Sequence, residues 1–177
     1  MKVIKTKFKD LIIIQKKYFK DSRGYFLELY KNKIIKKNFP FTCISLSKKN
    51  VIRGLHLQTK NAQGKYISVL KGRVLDVVVD LRKNSKTFGE HFKIILSEKN
   101  SKSLFIPEGF AHAYYSYEKT NIVYYKLTNY YYPKFEGGIN LMDKTLKIKW
   151  PKKKFSISNK DKKMISFKEF CKTQKFL

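Results

Sequence analysis

The stretch Lys65–Leu81 reads KYISVLKGRVLDVVVDL, and its reading decides the fold class. Two apolar, β-branched runs, Tyr66–Leu70 and Arg73–Leu81, flank Lys71-Gly72, and this spacing predicts two strands joined by a tight hairpin. The second run alternates. Val74, Asp76, Val78 and Asp80 share one face of a strand, while Leu75, Val77, Val79 and Leu81 share the other. Two acids on an otherwise apolar face point either to a polar cavity or to acceptors that serve the sheet itself.

Working outward, the same signals recur. Tyr18–Tyr30 reads as strand, turn and strand, with Asp21-Ser22-Arg23-Gly24 supplying the turn chemistry. Further strands are predicted at Phe41–Ser47, Phe88–Leu96, Ser103–Ile106, His112–Tyr117 and Asn121–Thr128. Residues 1–17 read as an edge strand or arm, residues 31–40 as a short helix or a loop, and Phe167–Lys172 as a short helix. Many short strands with few helical periods indicate an all-β antiparallel sandwich or barrel with a few short helices. The 177 residues suit one domain over 1–177, with an N-terminal arm (1–17) and a C-terminal segment (152–177) packing on it.

The net charge of +27 invites a nucleic-acid reading. Against it, only four of the 40 basic residues are arginine (Arg23, Arg53, Arg73, Arg82), whereas the guanidinium fork is the group suited to base and phosphate recognition. The lysines are also scattered, so a solvated surface is expected, and no nucleic-acid partner. Leu11–Ile14 is too short for a membrane span, and it is followed by Gln15-Lys16-Lys17 without a cleavage site. Cys43 and Cys171 have neither metal-type nor redox-type spacing, and a cytoplasmic protein without membrane association is the expectation.

Chemistry concentrates in Asn50–Lys65, NVIRGLHLQTKNAQGK, which holds Arg53, His56 and Lys65. A metal site would need His56, His91 and His112 to converge with a carboxylate, and they form neither an H-x-H nor an i, i+4 pair. No phosphate-cradling glycine loop and no local signature of a serine or cysteine nucleophile is present. Acid–base work remains, with a histidine as proton carrier, Arg53 or Lys65 to stabilise an anion, and an aspartate to fix the imidazole tautomer. From spacing alone, a structural histidine stays open beside the catalytic one.

An ordered series of motifs sharpens this. It runs from Asp21-Ser22-Arg23-Gly24-Tyr25-Phe26-Leu27-Glu28 through Arg53-Gly54-Leu55-His56-Leu57-Gln58 and Gln63-Gly64-Lys65 to Gly72 through Arg82 and Ser85-Lys86-Thr87-Phe88-Gly89. It continues with Ile106-Pro107-Glu108-Gly109-Phe110-Ala111-His112, Tyr125 through Tyr131, Glu136-Gly137-Gly138-Ile139, Trp150-Pro151 and Ser158-Asn159-Lys160-Asp161. Together these motifs resemble the dTDP-4-dehydrorhamnose 3,5-epimerase family. The resemblance implies a cupin-type jelly roll, no cofactor, a nucleotide-diphosphate sugar as substrate and a homodimer.

It also implies roles. His56 resembles the base that takes a proton from a carbon beside a 4-keto group, Asp161 its orienting aspartate, Tyr125 the acid on the opposite face and Lys65 the enolate stabiliser. Arg23, Glu28, Arg53, His112, Glu136, Lys160, Phe19 and Phe26 match substrate-binding positions. The tyrosines at 124, 125, 130, 131 and 132 also have a packing reading. Two departures stand out: Phe41-Thr42-Cys43-Ile44-Ser45 lacks the amides of a Gln-x-Asn segment that contacts the nucleotide, and Ala113 stands where glycine is commoner. Within the resemblance, C3-only epimerisation, a GDP-linked substrate or a heptose are alternatives. Outside it, the alternative is a non-catalytic cupin that binds sugar nucleotides or nucleic acid.

Overall fold

In the computed structural model, which describes residues 1–152 and 154–173, the two runs of the deciding stretch form strands but do not pair with each other. In chain order the strands are β1 (Lys2–Lys5), β2 (Ile12–Gln15), β3 (Tyr18–Asp21), β4 (Gly24–Leu27), β5 (Phe41–Ser47), β6 (Ile52–Gln58) and β7 (Lys65–Lys71). They continue with β8 (Arg73–Asp80), β9 (His91–Ser97), β10 (Lys102–Ile106), β11 (Phe110–Ser116), β12 (Asn121–Leu127) and β13 (Glu136–Gly138), before two short helices, α1 (Asn159–Lys162) and α2 (Phe167–Thr173). One sheet has the order β1-β2-β10-β7-β12-β5 and a second β13-β6-β11-β8-β9, while β3 and β4 form a separate hairpin. The named pairings are antiparallel, the arrangement of a jelly-roll sandwich.

The expected hairpin at Lys71-Gly72 is therefore corrected. β7 pairs with β10 and β12, β8 pairs with β9 and β11, and the dipeptide is the corner where the chain passes from one sheet to the other. Gly72 takes φ +82°, and a Cβ there would meet the Thr120 carbonyl oxygen at 2.5 Å, so the corner requires glycine. Residues 31–40 form turns and extended chain without a helix.

The alternation read along β8 holds, but its two acids divide. Asp80 ends the strand as a fully buried acceptor for Arg82 (2.7 Å), Ser85 (2.6 Å) and Thr87 (2.7 Å). That network fixes the loop before β9, which begins at His91 and not at Phe88. Asp76 instead reaches the side chain of His112 in the middle of the sandwich. Between the sheets, Ile67, Val69, Leu104 and Val123 from one side meet Val74, Val78, Leu96 and Phe110 from the other.

Leu11 and Ile14 are buried against their own chain, because β2 pairs with β10 and carries β1 at the sheet edge. On the outer face of the second sheet, Leu55, Leu57, Val79 and Ala111 are covered by Ile139, Leu146 and Phe170. Bridges from Val51 to Ser156 and from Ile139 to Ile165 hold the chain on either side of α1 against β6 and β13. No helix among the described residues is long and apolar enough to cross a membrane.

Candidate active site

β6 enters the sandwich with Gly54 at φ +122°. A Cβ on Gly54 would meet the His112 carbonyl oxygen at 2.4 Å and the Ala113 Cβ at 2.5 Å. This missing side chain lets β6 approach β11 closely, and it also leaves room for the alanine at 113. Two residues on, His56 lies directly opposite His112 in the β6–β11 pairing, so the two imidazoles share one wall of the interior.

His56 Nε2 stands 2.7 Å from Oδ1 of Asp161, whose side chain is 4% exposed. Asp161 belongs to α1, where Ser158 caps the helix by accepting the Asp161 backbone N–H at 3.0 Å. Its second oxygen accepts the Gly54 backbone N–H at 3.3 Å. Burial works to raise the carboxyl pKa, but the hydrogen bond and charge of His56 and the Gly54 and Ser158 contacts outweigh it, so Asp161 titrates below its ordinary value. An ionised Asp161 accepts a hydrogen bond from Nε2–H, and Nδ1 then carries the free lone pair.

Nδ1 faces Glu136 Oε1 at 4.0 Å. Glu136 also accepts from Tyr131 and is paired with Lys160. Burial opposes its ionisation, yet the Lys160 and Tyr131 hydrogen bonds and the His56 charge hold its pKa below the usual value. The second histidine is buried: Nε2 of His112 is 2.8 Å from Oδ2 of Asp76. Desolvation exceeds the pull of Asp76 and lowers the His112 pKa.

The first sheet supplies the opposite wall. Lys65 at the start of β7 and Tyr125 on β12 both line a cavity of about 500 Å³ together with His56, Asp161, Arg53 and Lys160. Desolvation lowers the Lys65 pKa to about 8, even against the pull of Asp76 and Glu136. Burial lifts Tyr125 well above its ordinary value, helped by the neighbouring Tyr114. The rings of Tyr125 and His112 are 6.3 Å apart, edge to face across the sandwich. Arg53 is anchored at the mouth by Ser47 (2.9 Å) and the Leu46 carbonyl (3.1 Å). The arrangement places a carboxylate-backed imidazole on one side of a chamber, with a phenol and an amine on the other and fixed cations at its rim.

Eight of the expected residues thus gather: His56, Asp161, Lys65, Tyr125, Arg53, Lys160 and His112 around the cavity, with Glu136 beside His56. Four do not. Arg23 pairs with Asp21 (2.7 Å) in the β3–β4 turn, Glu28 pairs with Lys31 (2.6 Å), and Phe19 and Phe26 are 50% and 65% exposed on that hairpin. Several contributors escaped sequence reasoning. Ser45 and Ser47 hold the Tyr114 hydroxyl at 3.0 and 2.8 Å, and alternation along β5 was the signal that could have turned them inward. Tyr131 was readable only as one of a tyrosine cluster.

Comparison with known proteins follows the same line. A family model described as dTDP-4-dehydrorhamnose 3,5-epimerase matches residues 5–169. The dTDP-4-dehydrorhamnose 3,5-epimerase of Salmonella typhimurium (strain LT2) is 44% identical over 158 residues, which is 85% of this chain and 86% of that protein. The protein of the same description from Methanothermobacter thermautotrophicus is 42% identical, over 84% of this chain and 83% of its own. Among solved structures, the dTDP-6-deoxy-D-glucose-3,5-epimerase of Legionella pneumophila in complex with dTDP-4-keto-L-rhamnose is similar, with a TM-score of 0.90 and 39% identity. The superposition covers 93% of this chain and 92% of that one.

Proposed function

The chain belongs to the dTDP-4-dehydrorhamnose 3,5-epimerase family, and from this premise we propose that it inverts C3 and C5 of dTDP-4-dehydro-6-deoxyglucose to give dTDP-4-dehydro-L-rhamnose. The observation that carries the reading is the 2.7 Å contact of His56 with buried Asp161, in a cavity whose other wall holds Lys65 and Tyr125. The 4-keto group acidifies the hydrogens on both flanking carbons. His56 Nδ1 takes one of them, the C–H electron pair becomes a C=C bond, and the carbonyl electrons move to O4. Lys65 stabilises that oxygen as its charge develops. Tyr125 returns a proton from the opposite face, the carbonyl re-forms, and the carbon is inverted. Removal of the second hydrogen by His56 and return of a proton from the opposite face complete the reaction with no cofactor, since the ketone is the electron sink. Asp161 holds the tautomer of His56, and Arg53 and Lys160 suit the diphosphate.

Arg23, Glu28, Phe19 and Phe26 fit this reading in a homodimer. Their hairpin does not line its own chain's cavity, so substrate contact requires the cavity of a second copy. The exposed Ile44 (63%) and Leu46 (57%) on edge strand β5 add apolar surface for that copy. Sedimentation equilibrium should give a dimer, and a monomer would remove this part of the reading. A cytoplasmic location is supported by the two free cysteines, as a reducing compartment keeps them.

In deuterated buffer with dTDP-4-dehydro-6-deoxyglucose, deuterium should enter at both C3 and C5. Label at C3 alone would make the protein a 3-epimerase, and no label at either carbon would remove the epimerase reading for this substrate. Replacing His56 with Ala should cut exchange at both carbons by roughly a hundredfold or more. The same measurement with GDP-linked and heptose substrates tests the nucleotide and the sugar.

A further inference from the structure

The inward positions of β5 are Phe41, Cys43, Ser45 and Ser47, because Thr42, Ile44 and Leu46 turn outward to solvent. Ser45 and Ser47 are occupied with Tyr114 and Arg53. Cys43 is not. It is half-buried, unbridged, and lines the cavity. In the β5–β12 pairing it stands directly opposite Tyr125, a position that puts the two Cβ atoms about 5 Å apart. The charge of Lys65, on β7 across β12, is felt at the Cys43 sulfur. The wall facing His56 therefore carries two proton-bearing groups side by side, a phenol and a thiol, in the cavity that the Lys65 amine also lines.

The reaction has a use for two. C3 and C5 flank the same carbonyl, and their new protons arrive from the face away from His56. Tyr125 is fixed in the wall by burial and by its 3.5 Å contact with Ser45, so one hydroxyl would have to reach two carbons on opposite sides of C4. We propose that the Cys43 thiol is a second proton donor on the face opposite His56, serving one of the two carbons while Tyr125 serves the other. This rests on the epimerase reading above.

The step balances. The enolate π electrons form the new C–H bond, the S–H bond breaks, its electron pair stays on sulfur, and the C4 carbonyl re-forms. The thiolate, stabilised by the Lys65 ammonium, regains its proton from water, and His56 releases to water the proton it removed. Burial keeps the thiol protonated beforehand, since desolvation raises its pKa against the opposing pull of Lys65.

The test is single-turnover deuterium incorporation, read carbon by carbon by NMR, for wild type, Cys43→Ala, Cys43→Ser and Tyr125→Phe. Both Cys43 variants should lose incorporation at one carbon by roughly a hundredfold, with the other carbon within about twofold of wild type, and Tyr125→Phe should show the reverse pattern. Cys43→Ser keeps the shape of the side chain, so a defect in Cys43→Ala alone means packing and overturns the proposal. Wild-type incorporation at both carbons in both variants overturns it as well, as does an equal loss at both. Absence of label in the wild type would instead refute the epimerase reading.

Discussion

In the proposed reaction, Lys65 is the residue whose ionisation sets the working range. Its pKa, lowered to about 8 by desolvation, lies close to neutrality, and it must be cationic to stabilise an enolate oxygen. The ammonium predominates below pH 8 and is lost above it. The expected outcome is a kcat/KM profile that declines on the alkaline side with an apparent pKa of about 8. Lys65→Arg should move that decline upward, and an unchanged decline in this variant would place its origin elsewhere. At this scale the sequence was informative where chemistry is local. Arg53, His56 and Lys65 share one short stretch, and their roles could be framed from residue type alone. Asp161 could not be found that way, because its partnership with His56 spans 105 positions and exists only once α1 has docked. Asp76 was visible as an anomaly in the β8 alternation, but neither its bond to His112 nor the contrasting duty of Asp80 could be read there.

Among the elements, strands were legible because alternation and β-branching depend on neighbours in sequence. Partners were less so. Lys71-Gly72 has the composition of a hairpin turn, and the same two residues serve equally to turn β7 out of one sheet and β8 into the other. What separates the cases is the distant Thr120 backbone against which Gly72 packs. The segment after β2 carries another consequence of packing. Lys16 is 5% exposed, and its ammonium donates to Ser68 at 2.7 Å with no carboxylate partner among the described residues. Burial lowers its pKa from 10.5 to about 8. Because the folded value is lower than the unfolded one, the fold binds fewer protons between these limits, and stability rises with pH from about 8 toward 10.5. Below pH 8 the charged group costs the fold roughly 3 kcal/mol, at about 1.4 kcal/mol per pKa unit. Urea unfolding at pH 7 should therefore find Lys16→Met more stable than wild type, with a smaller gain in stability between pH 8 and 10 than wild type shows. A destabilised variant would mean that the Ser68 contact outweighs the burial of charge.

For the whole molecule, the formal charge of +27 acts on any anionic substrate before contact is made. With Arg53 and Lys160 at the rim, a nucleotide diphosphate is drawn toward the cavity, and added salt weakens that attraction. Raising ionic strength from about 0.01 to 0.15 M should lower kcat/KM several-fold while kcat at saturation changes little. A kcat/KM insensitive to salt would show that the lysines serve hydration alone. The distance along the chain between His56 and Asp161 has a consequence in time. A ribosome delivers the strands of both sheets, and the histidine among them, well before it delivers the aspartate. A nascent chain can thus assemble its walls around His56 before the 2.7 Å contact with Asp161 can form. In the proposed reaction, a product that stops short of Ser158 lacks the aspartate that holds the His56 tautomer, however well its sheets have formed.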